Sequence, residues 1–281
     1  GLNKITDWNS KLCIWNVGSG TEKTQNTFTT QALNTLYNYG ARGFLMYQSN
    51  WFMNLNNYPN EGNKIIQTID ARNIDKLCDI WITDPPYADA VNYHELTEFF
   101  LAWDKRLIQN AFPEWYTDSK RVLAVRGVGQ SFNESMIEIY KNLSNHMPDN
   151  GTQVVMFTHQ DVKVWSELAM ILWSAGLRVT SAWTISTETD ASGLKQGNYV
   201  SGTVILSLRK QTSEEKIYRD ELYDEIKDEV ESIIDSMKNL NDKEDPDFND
   251  ADFILASYAA ALKVITTYKN IEGIDIPYWL S

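Results

Sequence analysis

Two hydrophobic periods alternate along residues 1–211 and predict a chain in which strands alternate with helices. Short apolar runs bounded by Gly, Pro or polar clusters are typical of buried strands, whereas apolar residues three and four positions apart are typical of helices. The predicted strands cover residues 44–47, 65–70, 78–83, 153–157, 177–186 and 199–209. The predicted helices cover residues 24–39, 94–109, 133–147 and 161–175, the last closed by Gly176. This order predicts an α/β sheet whose last two strands form an antiparallel hairpin.

The residues that follow, 212–281, begin with an acidic segment that dominates the charge of the chain. Residues 213–250 hold 15 Asp and Glu against 5 Lys and Arg, whereas residues 1–212 hold 20 against 18. The net charge of −13 therefore does not exclude a nucleic-acid partner, because the first part is free to present a basic face. Helices are predicted from residue 213 and at 250–269, with a domain boundary near residue 211. We leave open whether these helices pack on the sheet, mediate protein contacts or meet an upstream part of the protein.

Composition argues against several other classes of protein. No apolar run approaches the ~20 residues that a membrane helix requires, and no signal-peptide pattern is present. The two cysteines, Cys13 and Cys78, belong to no CxxC or Cys/His cluster. We therefore expect no metal, no membrane contact and a reducing, cytoplasmic setting. Because the chain starts at Gly1 without a Met, we expect a fragment of a longer protein or a tag remnant.

The tetrapeptide Asp84-Pro85-Pro86-Tyr87 directly follows a predicted apolar strand. In an open α/β sheet, ligands bind at the carboxyl ends of strands. An exocyclic amine of a nucleobase is a poor nucleophile because its lone pair is delocalised into the ring. The Asp84 carboxylate and the Pro85 carbonyl would accept from its two hydrogens and stabilise the positive charge that develops during methyl transfer. Tyr87 would stack on the flipped base, a contact worth ~1–3 kcal/mol. The structural alternative is that the prolines only end a strand and Asp84 caps the next turn.

At this motif the chain resembles the amino-methyltransferases that use S-adenosylmethionine. The run from Asn26 to Leu107 is similar to large prokaryotic adenine-specific DNA methyltransferases, which include members of restriction-modification and anti-phage systems. The similar segments include residues 31–34, 49–51, 70–71 and 93–100, and further similarity covers residues 157–161 and 183–210. The motif is specific for the superfamily and only suggestive as to which base is methylated.

The resemblance implies a Rossmann-like methyltransferase sheet and methyl transfer to N6 of adenine in DNA. It implies that Asp84, Pro85, Pro86 and Tyr87 are catalytic. It also implies that Asp70 lies near the adenine of the methyl donor; the alternative is that Asp70 is a helix cap or a turn residue.

The donor-binding loop of that family, of the form Asp-Pro-Phe-x-Gly-x-Gly, does not occur in this chain. The nearest string is Gly18-Ser19-Gly20, which lies between an apolar run and a predicted helix. A lone Gly-x-Gly is weak evidence for a cofactor site. Two alternatives stay open: Gly18 and Gly20 bind the donor, or the donor loop belongs to an upstream part of the same protein, which would then be a partner.

Five residues outside the motif are candidates for contacting nucleic acid. Lys105 and Arg106 would neutralise phosphates. His159 follows the strand at 153–157, which should neighbour the catalytic strand, so its side chain would line the same cleft. Lys195 and Asn198 lie on the loop between the last two strands and would reach into a groove. The alternatives are a solvated charged face, a structural histidine and an ordinary surface loop.

We therefore predict a Rossmann-like α/β methyltransferase domain at residues 1–211, with a terminal antiparallel hairpin, and an acidic helical appendage at residues 212–281. S-adenosylmethionine is the expected cofactor and DNA the expected partner. The first rival hypothesis is methylation of another substrate: cytosine at N4, guanine at N2 in RNA, or glutamine in proteins. The second is a nucleic-acid-binding or assembly portion that lacks its own donor site.

Overall fold

The structure is a computed structural model that describes most of the chain between residues 62 and 272 and a few segments before it. The described residues are 2–10, 13, 15–16, 23–24, 26–28, 62–86, 93–115, 117, 125, 130–159, 161–186, 202–240 and 248–272. The chain divides into two compact units, the first Gly1–Thr68 and Asn92–Arg121, the second Ile69–Val91 and Val122–Ser281. The predicted boundary near residue 211 stays a prediction, and residues on both sides of it belong to the second unit.

The first unit contains two helices and one short strand pair among its described residues. Helix α1 is Leu2–Asn9, strands β1 and β2 are Trp15–Asn16 and Lys23–Thr24, and helix α2 is Tyr93–Ala111. Helix α2 confirms the helix predicted at 94–109. Aromatic packing joins Phe28 to α2, with ring centroids 5.4 Å from Phe99 and 5.8 Å from Phe100.

The helix predicted to begin at residue 24 does not begin there. Residues 23–24 pair with β1 as a strand, and residues 27–28 form a turn. Thr27 is buried, and its backbone N–H donates to the Asp7 carboxylate at 2.8 Å. Its hydroxyl also donates to the Asp7 carbonyl oxygen. Hydrogen bonds between Thr27 and Asp7 therefore take the place of helical backbone bonds at this point.

A mixed sheet of four strands forms the centre of the second unit. Its strands are β3 (Ile80–Thr83), β4 (Thr152–Phe157), β5 (Leu177–Ser186) and β6 (Gly202–Lys210), in the order β3-β4-β6-β5. β3 and β4 are parallel, and β6 runs antiparallel to both β4 and β5. The predicted strands at 78–83, 153–157, 177–186 and 199–209 are confirmed, as is the terminal antiparallel hairpin.

The strand predicted at 65–70 is wrong. Residues 63–70 are irregular, and Ile65, Ile66 and Ile69 are 66, 73 and 43% exposed. A strand requires a neighbour that satisfies its N–H and C=O groups. None of the described strands pairs with this segment, so an apolar run with strand composition stays outside the sheet.

Three helices cover one face of the sheet. They are α3 (Gln130–Asn145), α4 (Val162–Ser174) and α6 (Asp250–Thr267), and they share one core with the strands. Val155 and Phe157 of β4 face these helices, beside Leu206 and Val204 of β6. Burial of these side chains stabilises the fold by roughly 1.5–3 kcal/mol for each large apolar residue. The helices confirm the predictions at 133–147, 161–175 and 250–269, and Gly176 ends α4 with a φ of 75° as predicted.

The acidic C-terminal segment forms helices, but it begins with a strand. β7 (Lys216–Tyr218) precedes helix α5 (Arg219–Leu240) and pairs in parallel with β8 (Asn270–Glu272). The prediction that the chain is helical from residue 213 is therefore wrong for residues 213–218. Of the alternatives left open for the C-terminal helices, helix α6 packs on the sheet. No described helix combines the length and the apolar character needed to span a membrane.

The bond between Val179 and Thr266 ties α6 to β5 and makes a testable prediction. The buried N–H of Val179 donates to Thr266 Oγ1 at 2.8 Å. Thr266→Val should leave that N–H unpaired and lower the free energy of unfolding by about 1–3 kcal/mol, measured by urea denaturation. Thr266→Ser should recover most of the loss. Thr267→Val is the matched control, because that hydroxyl donates within its own helix. Equal effects at the two positions would contradict this role.

Candidate functional site

The candidate site lies where the parallel strands β3 and β4 end side by side. The pairing runs from Ile80 with Thr152 to Thr83 with Val155. This confirms the expectation that the strand before the motif neighbours the strand before His159. Asp84, Pro85 and Pro86 follow β3 directly, and Thr158 and His159 follow β4.

The motif residues differ sharply in exposure. Asp84 and Pro86 are exposed, whereas Pro85 is buried. Both prolines line a cavity of about 20 Å³ together with Phe132 and Met136 of α3. Among the described residues, no hydrogen bond reaches the Asp84 carboxylate or the Pro85 carbonyl oxygen. The motif therefore presents two acceptors beside an anchored proline ring.

A buried hydroxyl pair lies directly behind the motif. Tyr140 of α3 is 1% exposed, and its hydroxyl oxygen is 3.3 Å from Thr83 Oγ1. Thr83 Oγ1 donates to the carbonyl oxygen of Val154 at 3.4 Å. Burial raises the pKa of Tyr140 to about 12, so this phenol stays protonated at neutral pH. Strands β3 and β4 and helix α3 thus meet at the residue before Asp84.

Asp70 is a buried capping residue. Its carboxylate accepts from the Arg72 backbone N–H at 2.9 Å and is the N-cap of the 3-10 turn Ala71–Asn73. The Arg72 guanidinium also pairs with it, at 2.6 Å from Nη2. Hydrogen bonding to this guanidinium lowers the pKa of Asp70. The cap alternative is therefore confirmed, and a donor-binding role for Asp70 stays a prediction.

The turn after Asp70 is held by α3. The side-chain amide of Asn142 donates to the carbonyl oxygens of Ala71 at 3.1 Å and Ile74 at 2.9 Å. Sequence reasoning missed Thr83, Tyr140 and Asn142. The sequence carries only a weak signal for them: Tyr140 and Asn142 are polar positions within an otherwise apolar helical pattern.

His159 is half-buried at the start of α4. Its Nδ1 accepts from the backbone N–H of Asp161 at 3.0 Å, and its carbonyl oxygen accepts from Trp165 Nε1 at 2.8 Å. Asp161 in turn caps α4 through the N–H of Lys163. His159 therefore has a structural role at this helix start, and its contact with nucleic acid stays a prediction.

The other predicted site residues fall into two groups. Lys105 and Arg106 are exposed on α2 of the first unit. Five residues lie outside the described part of the chain: Gly18, Gly20, Tyr87, Lys195 and Asn198. The segments flanking the glycines form the antiparallel pair β1–β2, so the expected strand precedes the glycines, but a strand follows them where a helix was expected. Within the described ranges, no group of three or more acidic, His or Cys residues is arranged to hold a metal ion.

The Asp70–Arg72 pair makes stability depend on pH. Because the folded-state pKa of Asp70 is lowered, its contribution is fully present above the unfolded Asp pKa of about 3.9. The contribution is lost as pH falls through the folded-state pKa. Asp70→Asn should therefore destabilise the protein at neutral pH and progressively less in acid, measured by urea denaturation across pH. Arg72→Gln, which keeps the carboxylate and its backbone hydrogen bond, should reduce this pH dependence, because it removes the main cause of the lowered pKa. A deficit in Asp70→Asn that does not change with pH would contradict the assignment.

The chain matches no protein-family model, no curated protein and no solved structure. The residues at the carboxyl ends of β3 and β4 are therefore the only described features from which a function can be inferred.

Proposed function

We propose that this chain carries the target-base site of an S-adenosylmethionine-dependent methyltransferase acting on N6 of adenine in DNA. The observation that carries the proposal is the exposed Asp84 carboxylate beside the anchored Pro85 at the end of β3. Ligands of open α/β sheets bind at this edge.

The proposed reaction requires two acceptors on one amine. The Asp84 carboxylate and the Pro85 carbonyl would each accept one hydrogen of the exocyclic amino group, which favours a pyramidal nitrogen. The lone pair then attacks the methyl carbon of the donor sulfonium as the carbon–sulfur bond breaks. The carboxylate stabilises the positive charge on the nitrogen, which is neutral again once a proton leaves to solvent. Neither a metal nor a covalent enzyme intermediate is needed.

Two further features support this class of enzyme. The sheet has the terminal antiparallel hairpin expected of a Rossmann-like methyltransferase, although its Rossmann-like character is part of the proposal. The resemblance implies that Asp, rather than Ser or Asn, at the first motif position favours adenine, or guanine in some RNA enzymes. A base inside a duplex would have to flip out to reach Asp84, and Tyr87 would stack on it.

The source of the methyl donor separates the main proposal from its rival. The outer edge of β3 pairs with none of the described strands, and Ile80 and Ile82 are 61 and 68% exposed. Sheets with parallel strands normally have both faces covered. A further segment that pairs with β3, beyond the described strands, would cover this side of the sheet and supply the donor loop. We infer that this segment belongs to an upstream part of the same protein, as the resemblance implies.

The test of the base chemistry is methyl transfer to unmethylated genomic DNA, followed by analysis of the nucleosides. We expect N6-methyladenine from the wild-type protein, assayed together with its donor-binding segment. Asp84→Ala should lower the rate at least about 100-fold, because it removes one of two charge-stabilising acceptors. Asp75→Ala is the matched control, since that carboxylate is 79% exposed and lies before β3. If only methylcytosine is found, or if parallel reactions with RNA yield methylguanine, then cytosine or guanine is the substrate instead of adenine. If Asp84→Ala keeps its activity, the proposed site is wrong.

The test of the donor site is calorimetric titration of this chain with S-adenosylmethionine. If the donor loop belongs to an upstream segment, the folded chain alone should not bind S-adenosylmethionine, and binding should appear once that segment is added. Micromolar binding by the chain alone would contradict that division and would assign Gly18 and Gly20 to the donor site.

A further inference from the structure

We propose that helix α3 is the positioning element of the site and aligns its two acids through separate hydrogen-bond links. One link runs from Tyr140 through Thr83 to Asp84, and the other from Asn142 to the turn capped by Asp70. This inference rests on the proposed function, because it assigns the first link to the target amine and the second to the methyl donor.

The first link fixes the last paired residue of β3. Thr83 donates its hydroxyl hydrogen to Val154, so the Tyr140 hydroxyl donates to Thr83 Oγ1. Tyr140 is fully enclosed and has little freedom to choose another partner. The two bonds join α3, β3 and β4 one residue before Asp84.

After Thr83, backbone hydrogen bonds cannot hold the motif in position. The ladder with β4 ends at Thr83, and neither Pro85 nor Pro86 has an N–H to donate. The direction of the Asp84 carboxylate and the Pro85 carbonyl then depends on Thr83 on one side and on the packed Pro85 ring on the other. That ring borders the cavity lined by Phe132 and Met136, so α3 supports both sides.

The second link holds the turn that contains Asp70. Asn142 uses both hydrogens of its amide, one on the carbonyl of Ala71 and one on that of Ile74. Arg72, the partner of Asp70, also approaches Glu138 of the same helix at 3.8 Å. Helix α3 therefore contacts the turn from two of its side chains, one turn of helix apart.

The two links predict different kinetic defects. A misdirected Asp84 weakens an interaction made in the transition state and lowers kcat, whereas a displaced Asp70 turn weakens donor binding and raises KM for S-adenosylmethionine. A purely structural role for α3 would move both parameters together, or would change only the free energy of unfolding.

The experiment measures kcat and both KM values in the form of the protein that transfers methyl groups. Tyr140→Phe and Thr83→Val should each lower kcat about tenfold with KM for the donor nearly unchanged, since small misplacements carry penalties of this size. Thr83→Ser keeps the hydroxyl and should retain near-normal kcat. Asn142→Leu should raise KM for the donor about tenfold with kcat nearly unchanged. Tyr268→Phe is the matched control, because its hydroxyl donates to Glu225 outside the site.

The double variant Tyr140→Phe/Thr83→Val adds a sharper criterion. Because both changes break one link, the double variant should lose little more kcat than either single variant. Additive losses, or losses no larger than that of Tyr268→Phe, would overturn the first link. An unchanged KM for the donor in Asn142→Leu would overturn the second.

Hydrogen exchange separates failure of this inference from failure of the proposed function. Exchange should accelerate at residues 80–84 in Tyr140→Phe and at residues 71–76 in Asn142→Leu, and neither segment should change in Tyr268→Phe. If the wild-type protein is inactive and the variants still show this faster exchange, the methyl-transfer proposal is contradicted while the two hydrogen-bond links are supported. An active wild-type protein whose variants show normal exchange and normal kinetics contradicts the inference alone.

Discussion

The parallel ladder between β3 and β4 brings together the two strand ends at which the candidate site lies. Its four pairings bring Asp84 and His159 to one edge of the sheet, although they are distant in sequence. Parallel strands require a long connection, and here its last helix is α3, which shares the core with β4 and contacts Thr83 of β3 through Tyr140. The same helix therefore completes the fold and supports the motif, so the site and the core share one set of contacts.

The double proline has two physical consequences at this edge. It removes backbone donors, which leaves the Pro85 carbonyl outside the ladder, and it inserts an apolar ring into the core beside Phe132. The first effect leaves the Pro85 carbonyl oxygen without a hydrogen bond among the described residues, and the second holds the residue in place. An exposed carboxylate next to such an anchored carbonyl suits an amine with two hydrogens. Asp70, in contrast, uses its carboxylate to bind Arg72 and to cap its turn. Any effect of Asp70 on the methyl donor would therefore come through the position of that turn.

Most of the described second unit was predictable from the sequence, because its strands and helices have strong and uninterrupted hydrophobic periods. β3, β4, β5, β6 and the helices packed on them lie within a few residues of their predicted bounds. The errors occur where a distant partner decides the outcome. Residues 65–70 have strand composition without a described neighbour, and the short strands β7 and β8 form only by pairing with each other. The motif at Asp84 was readable because its residues are consecutive. Tyr140 and Asn142 were not, because their partners lie 57 and 68 residues away.

The most direct test of the account is a crystal structure of the protein with deoxyadenosine monophosphate bound. We expect the exocyclic nitrogen to lie between an Asp84 carboxylate oxygen and the Pro85 carbonyl oxygen, within about 3.2 Å of each. We also expect Tyr140 and Thr83 to keep their contact behind the motif. A nucleotide bound at another edge of the sheet, or an adenine at this edge with its amino group turned away from both acceptors, would contradict the central claim.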